Sequence, residues 1–201
     1  DAGGNIVYET DGDNKGLPRV EGDGNTVKVG NANPVFSMGW SHTLSYKGIS
    51  LYCLIDWRYG GDILSQTQAD MDMYGVSKAT ADARDAGYVL LEGRRIEDVK
   101  RFYKNVVGGR AGVTEYYMYD ATNIRLRELS VGYQLPAAWM EKTKVLKRAQ
   151  LSFSGRNLFF FYKKAPFDPD LVLSTGNDNQ GIEVYGMPTT RSWGFSLKCE
   201  F

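Results

Sequence analysis

Three groups of residues in this 201-residue chain have the types that chemistry needs. The first is a set of charged side chains spaced two apart: Asp56 and Arg58, then Arg125 and Arg127, with Arg156 further on. On extended segments that spacing puts each pair on one face, where carboxylates and guanidiniums can contact a polar substrate. The second is Tyr116, Tyr117 and Tyr119, near the exit of a long polar stretch, where ring and hydroxyl suit ligand contact. The third is the redox and imidazole complement: Cys53, Cys199 and His42. His42 is the only histidine, so neither a triad nor a histidine metal pair can be built. Two cysteines without CxxC or Cys/His spacing make neither a zinc site nor a disulfide scaffold. There is no nucleophile motif, no arguable pair of carboxylates and no phosphate-binding glycine loop. The reading is a non-enzyme without cofactor or metal.

Charge narrows the partners. Lys plus Arg and Asp plus Glu each total 24, and a formal net charge of zero removes the electrostatic case for nucleic acid. No polybasic patch marks an anionic membrane surface. Residues 1–8 have neither the basic start nor the apolar core of a signal peptide. No run of about 18 apolar residues exists for a transmembrane helix. That test does not see barrel strands, whose alternation keeps mean hydropathy low.

The elements that must position these residues read as long strands. Over 35–46 the even positions are Phe36, Met38, Trp40, His42, Leu44 and Tyr46. Lys47-Gly48 is a hairpin turn signal. Over 49–59, Ile49, Leu51, Cys53, Ile55, Trp57 and Tyr59 share a face. Arms of about 11 residues match a tilted bilayer crossing, whereas soluble strands run about 5–6. Alternation returns over 124–135, with a phase slip near Arg127-Glu128 that reads as a β-bulge or a change of face. It continues over 149–162, which ends in the cluster Phe159 to Tyr162, and closes with Trp193, Phe195, Leu197, Cys199 and Phe201. Residues 1–34 read as loop. Residues 60–121 change character: 65–73 and 77–86 read as short helices or polar loop, and 96–104 has a weak helical spacing. Residues 163–188 read as a second long loop. The segments 5–9, 26–29 and 88–91 are too short to cross a bilayer.

Short turns (47–48 and 136–148) alternating with long loops (60–121 and 163–188) are the layout of outer-membrane barrels. Five strands do not close one. Asp56, Arg58, Arg125, Arg127, Arg156, Lys198 and Glu200 fall opposite the apolar faces, which favours a polar lumen over a lipid face. Cys53 and Cys199 fall on the apolar side and read as free thiols on strands that are not neighbours. His42 reads as a partly buried or interfacial histidine, and Phe159 to Tyr162 as interfacial girdle rather than a sugar platform.

The segment YDATNIRLRELSVGYQLP (119–136) resembles a signature of SusC/RagA-type TonB-dependent outer-membrane transporters. So do GNANPVFSMGW (30–40) with SYKGISL (45–51), RDAGYVLLEG (84–93), SFSGRNLF (152–159), NQGIE (179–183) and TTRSWGFSLKCEF (189–201), in order along the chain. The resemblance implies an all-β fold: C-terminal antiparallel strands of a 22-stranded transmembrane barrel with long extracellular loops. Residues 1–34 would be an extracellular loop leading into the barrel, and 35–201 its C-terminal part. It implies TonB-dependent import of an oligosaccharide or oligopeptide across the outer membrane of a Gram-negative bacterium. The partners implied are a SusD-like surface lipoprotein, the TonB-ExbB-ExbD complex and outer-membrane lipid. Phe201 would be the assembly signal at the periplasmic end. An early acidic loop of relatives finds a counterpart at 11–16, but Lys15 stands where calcium wants an oxygen and the twelfth position is Gly22, so a solvated loop is expected. Two alternatives remain open: a soluble β-rich glycan-binding module, and a small passive barrel or adhesin.

Overall fold

A computed structural model describes residues 3–20, 27–142, 145–174, 176 and 179–201. Ten strands are present among them: β1 (Phe36–Tyr46), β2 (Ile49–Tyr59), β3 (Asp62–Ser65), β4 (Val89–Leu91), β5 (Arg94–Ile96), β6 (Met118–Asp120), β7 (Asn123–Gln134), β8 (Arg148–Lys163), β9 (Ile182–Glu183) and β10 (Ser192–Glu200). The helices are α1 (Gln66–Met73), α2 (Lys78–Ala86), α3 (Val99–Arg101), which runs on into a π-helical turn at Phe102–Val107, and α4 (Ala137–Glu141). The chain divides into two compact units.

One unit holds residues 33–61, 120–170 and 187–201. It contains a five-stranded sheet in the order β1-β2-β7-β8-β10, each strand antiparallel to its neighbour. These are the five long strands expected from the alternation. Lys47 and Gly48 close β1 on β2 with φ of 47° and 84°, the left-handed pair that lets a two-residue turn follow the strand twist.

Register turns alternation into faces. Leu44, Leu51, Val131, Phe153 and Phe195 stand in one row across all five strands. Tyr46, Ile49, Tyr133, Leu151 and Leu197 make the next. The rows between them, on the other face, read Ser45, Ser50, Gly132, Ser152, Ser196 and Thr43, Tyr52, Ser130, Ser154, Gly194. Many of the apolar side chains are bare: Trp40 is 52%, Trp193 60% and Phe195 72% exposed. A contiguous bare apolar face of this kind marks a surface meant to be covered.

Of the two readings of the phase slip, the bulge is the one present. Leu54 pairs with Glu128 and Ile55 with Leu126, so Arg127 has no partner on β2. The β7–β8 register shifts at the same place, where Asn157 takes φ 51°. One extra residue at that point returns Ile124 and Leu126 to the apolar face. Cys53 on β2 and Cys199 on β10 are separated by β7 and β8, and both are free.

The second unit gathers residues 1–32, 62–119 and 171–186. The first loop is thus a folded body with its own core. Phe102 and Val106 are at most 1% exposed and pack with Ala69, Ile96, Val99 and Tyr117. Ser65 and Ser77 cap α1 and α2, their hydroxyls accepting from the Gln68 amide at 3.2 Å and the Thr80 amide at 3.1 Å. The helical spacing read over 96–104 is corrected at its start. Ile96 lies in β5, paired with Val89 of β4, and helix begins only after Asp98, which caps the Arg101 amide at 3.0 Å. Glu92-Gly93 turns β4 back onto β5 and so places Ile96 in a strand, which the spacing alone did not register.

The early acidic loop closes on itself through a Tyr8–Pro18 bridge. Its Asn14 is engaged by Asn105 at 3.2 Å, and the Asp13 carbonyl accepts from Arg101 at 2.8 Å. Gly22, Thr26 at the head of the segment 26–29, and Asn177 and Asp178 of the second long loop lie outside the described residues. Strand β3 pairs with β9 in parallel, Leu64 opposite Ile182 and Ser65 opposite Glu183, so the two long loops share one sheet with β6.

Candidate functional site

The polar face of the five-stranded sheet brings together most of the charged residues singled out in the sequence. Asp56 stands opposite Arg125, and Arg58 opposite Asn123. Arg125 is 1% exposed. Its guanidinium donates to Asp168 at 2.5 Å and to Asp170 at 3.1 Å, and lies 4.0 Å from the centre of the Phe160 ring. Arg127, the bulged residue, donates to Asp56 at 2.8 Å and to Asp170 at 2.6 Å. Thr189 donates its hydroxyl to Asp168. Arg156 pairs with Glu128 at 3.4 Å.

This is an interlocked network, not a row of free charges. Two arginines on one strand hold two aspartates of the 163–170 segment, and Thr189 joins the far side. Arg125, singled out as a possible substrate or lumen contact, is held as an anchor, its guanidinium paired with Asp168 and Asp170 and one face covered by the Phe160 ring. Asp56 and Arg127 are half-buried and mutually paired. Phe160, expected in the interfacial girdle with its neighbours, instead sits opposite Arg125 on the polar side, because the register shifts beside it.

Burial on its own would raise the Asp168 carboxyl. Hydrogen bonds from Thr189 and the Asp170 amide, with the Arg125 charge, outweigh it and hold the group below its ordinary 3.8. A carboxyl lowered in the fold contributes stability in full above that ordinary value and loses it as the pH falls through the lowered one. Acidification through that window is expected to expose residues 163–189 to protease. Asp168→Asn should remove the pH dependence of the cleavage rate.

In the other unit, the tyrosine group separates. Tyr117 is 2% exposed and donates to the buried Asp72 at 3.0 Å. Burial first, then the Asp72 charge, hold its hydroxyl protonated well above the usual tyrosine range. Of the three tyrosines, it is the one placed in the core. Tyr116 is 38% exposed, edge-on to Phe102 and Tyr117, and Tyr119 is half-buried. Tyr117→Phe removes one of two side-chain donors to Asp72, the other being Gln68 at 2.7 Å. The expected loss is about 1–3 kcal/mol, seen as faster amide exchange across α1.

Sequence reasoning missed Glu183. It is 5% exposed and accepts from Ser65 at 2.9 Å, Thr67 at 2.6 Å and the Gly186 amide at 3.2 Å. The signal was its place at the end of NQGIE, quoted for resemblance and not read for chemistry. Tyr185, next but one, has φ 47° yet is 63% exposed. A bulky side chain in that region costs of order 1–3 kcal/mol.

No family model matches the chain. It is 29% identical over 178 residues to "TonB-dependent receptor P3" of Formosa agariphila, covering 86% of this chain and 17% of that protein. It is 24% identical over 186 residues to "TonB-dependent receptor P39" of the same organism, covering 90% and 17%. Among solved structures it is similar to the RagAB peptide importer in the "open-open" state, with TM-score 0.62 and 16% identity over 85% of this chain and 17% of that one. For the "closed-closed" state the TM-score is 0.63, with 15% identity over 98% and 21%. Those identities speak to the fold: a predominantly β segment of the kind found in that importer. By sequence, the chain is similar to curated proteins named as TonB-dependent receptors, and it spans about 17% of their length.

Proposed function

We propose that this chain is part of the wall and external loops of a TonB-dependent importer in the outer membrane of a Gram-negative bacterium. The whole receptor would be a 22-stranded barrel, with residues 35–201 its C-terminal strands and 60–121 and 163–188 its extracellular loops. It would take up a large nutrient, an oligosaccharide or oligopeptide, beneath a SusD-like surface lipoprotein and driven by TonB-ExbB-ExbD. Phe201 would serve as the assembly signal at the periplasmic end.

The observation that carries this reading is the register. Apolar rows cross all five strands without a break, and the opposite rows are Ser, Thr and Gly with one Tyr, on the same face as the charged network. Lipid tolerates the first face and water the second. Asp56, Arg58, Arg127 and Arg156 then belong to the lumenal side, as does the anchor Arg125. Tyr116 and Tyr119 belong to the external loops. The curated relatives are named as TonB-dependent receptors, and the solved neighbours as a peptide importer.

The test is the native polypeptide carrying this sequence, extracted in detergent and run heated and unheated. A mass several times 22.5 kDa with a heat-dependent shift is expected. A band at that mass with no shift, from a protein that needs no detergent, would overturn the reading. Uptake of a labelled oligosaccharide or oligopeptide should in addition collapse when TonB is deleted.

A further inference from the structure

The two ends of the five-stranded sheet treat their cations differently. At the long-loop end Lys164 is held by Asp120, and Arg125 and Arg127 by Asp168 and Asp170. At the short-turn end Lys47, Lys142 and Lys147 are exposed. None of these three forms an ion pair among the described residues. Main-chain hydrogen bonds draw their turns to one rim. The Gln134 amide donates to Gly48 at 2.8 Å, the Leu135 amide to Ala149 at 2.9 Å and the Lys147 amide to Glu200 at 2.7 Å. Two carboxylates share the rim: Glu200, opposite Arg148 and paired with it at 3.9 Å, and Glu141 in α4. Three ammoniums against Glu141 leave the rim positive. Lys47 stands far from the other two in sequence, so the sheet assembles this patch where no basic run marks it.

The patch borders the apolar face. The row nearest the rim is Tyr46, Ile49, Tyr133, Leu151 and Leu197, all of it bare or half-bare. The Lys47 ammonium lies 5.2 Å from the centre of the Tyr46 ring, which puts a cation at the edge of that row. Lys147 is in phase with Ala149 and Leu151, the apolar side of β8. In α4, Met140 is buried and Trp139 is 58% exposed, three residues before Lys142. An exposed tryptophan beside lysines is the composition of a boundary between hydrocarbon and water. Lysine stems run along apolar surface there and carry the ammonium into the polar layer.

We propose that Lys47, Lys142 and Lys147, with Trp139 at the boundary, bind the phosphodiester headgroup of an anionic phospholipid whose acyl chains lie along the Tyr46 to Leu197 row. The chemistry selects an amphiphile. The ammoniums call for an anion, and the row beside them calls for hydrocarbon. An acidic protein or a nucleic acid would satisfy the lysines and leave the row in water. A lipid without net charge would cover the row and gain little from the lysines. The inference rests on the importer reading, which turns the apolar face to lipid, and names the lipid preferred at the short-turn end.

The test uses the intact receptor in phosphatidylcholine vesicles that carry a trace of photoactivatable phosphatidylglycerol or, separately, photoactivatable phosphatidylcholine. After illumination and digestion with chymotrypsin, mass spectrometry measures labelling of the peptides that hold residues 46–48 and 136–148. The phosphatidylglycerol probe should label them about tenfold more than the phosphatidylcholine probe at about 0.15 M salt. Lys47→Gln, Lys142→Gln and Lys147→Gln together should bring the two probes within about twofold, as should about 1 M salt. The three side chains are exposed, so the heat shift should be unchanged. A charge-matched control in the other unit, Lys28→Gln, Lys100→Gln and Lys104→Gln, should leave the preference intact. Equal labelling by both probes would overturn the site, as would a preference that survives the first triple change or is lost equally in the control. Loss of phosphatidylglycerol labelling to inorganic phosphate at constant ionic strength would also overturn it, marking a site for a free anion. A receptor that keeps the heat shift and TonB-dependent uptake in those cases leaves the importer reading standing.

Discussion

Val131→Arg is expected to destabilise the membrane-inserted protein by about 2–4 kcal/mol, while Ser130→Arg on the same strand should cost little. The two positions are adjacent on β7, so strand propensity and distance from the turns are nearly matched. What differs is the face. Val131 stands in the row with Leu51 and Phe153, and Ser130 in the row with Tyr52 and Ser154. If the sheet is barrel wall as proposed, a guanidinium on the apolar side is drawn into hydrocarbon, and on the other side it meets water. Urea unfolding in lipid vesicles measures both. Equal costs would mean that neither face contacts lipid, and a reversed order would turn the sheet inside out.

The second large effect is expected at Arg125. Removing one partner of a buried ion pair strands the other, and the usual loss is about 3–5 kcal/mol. Arg125→Ala would leave Asp168 with only Thr189 and the Asp170 amide, while Arg127 still holds Asp170. The 163–170 segment should come away from the sheet, read as new protease cleavage there at neutral pH. Arg125→Lys should recover only part, since a lysine supplies charge without the two-pronged geometry or the flat group over Phe160. Arg125→Met combined with Asp168→Asn should recover more stability than either change alone, since no uncompensated charge remains at the Asp168 position.

These two cases show which parts of the molecule were legible in the sequence. The long strands were legible because period-2 alternation over about 11 residues has few other meanings. The phase slip at the bulge was legible because Ile124 and Leu126 fall out of phase with Leu129 and Val131. The charged residues were correctly placed on the face opposite the apolar rows, but their roles were not readable. Nothing in the spacing of Arg125 reveals that Asp168 and Asp170, more than forty positions away, will claim its donors. Likewise Tyr116, Tyr117 and Tyr119 look equivalent in sequence. Only the tertiary position of Asp72 makes Tyr117 a core residue and leaves Tyr116 partly bare. The fold within 62–119 was the least legible, because its core draws single apolar residues from many short segments instead of one periodic run.

The parallel pairing of β3 with β9 has a consequence for the order in which the chain folds. Every contact between neighbouring strands of the five-stranded sheet follows the order of synthesis. The bond from Ser65 to Glu183 instead spans 118 positions. Closing so long a separation is slow unless something has already drawn its ends together. The sheet supplies that, since β7 and β8 must be laid down before residue 183 can return to residue 65. The pairing of β9 with β3 is therefore expected to come late, and protection of the Glu183 contacts would time it.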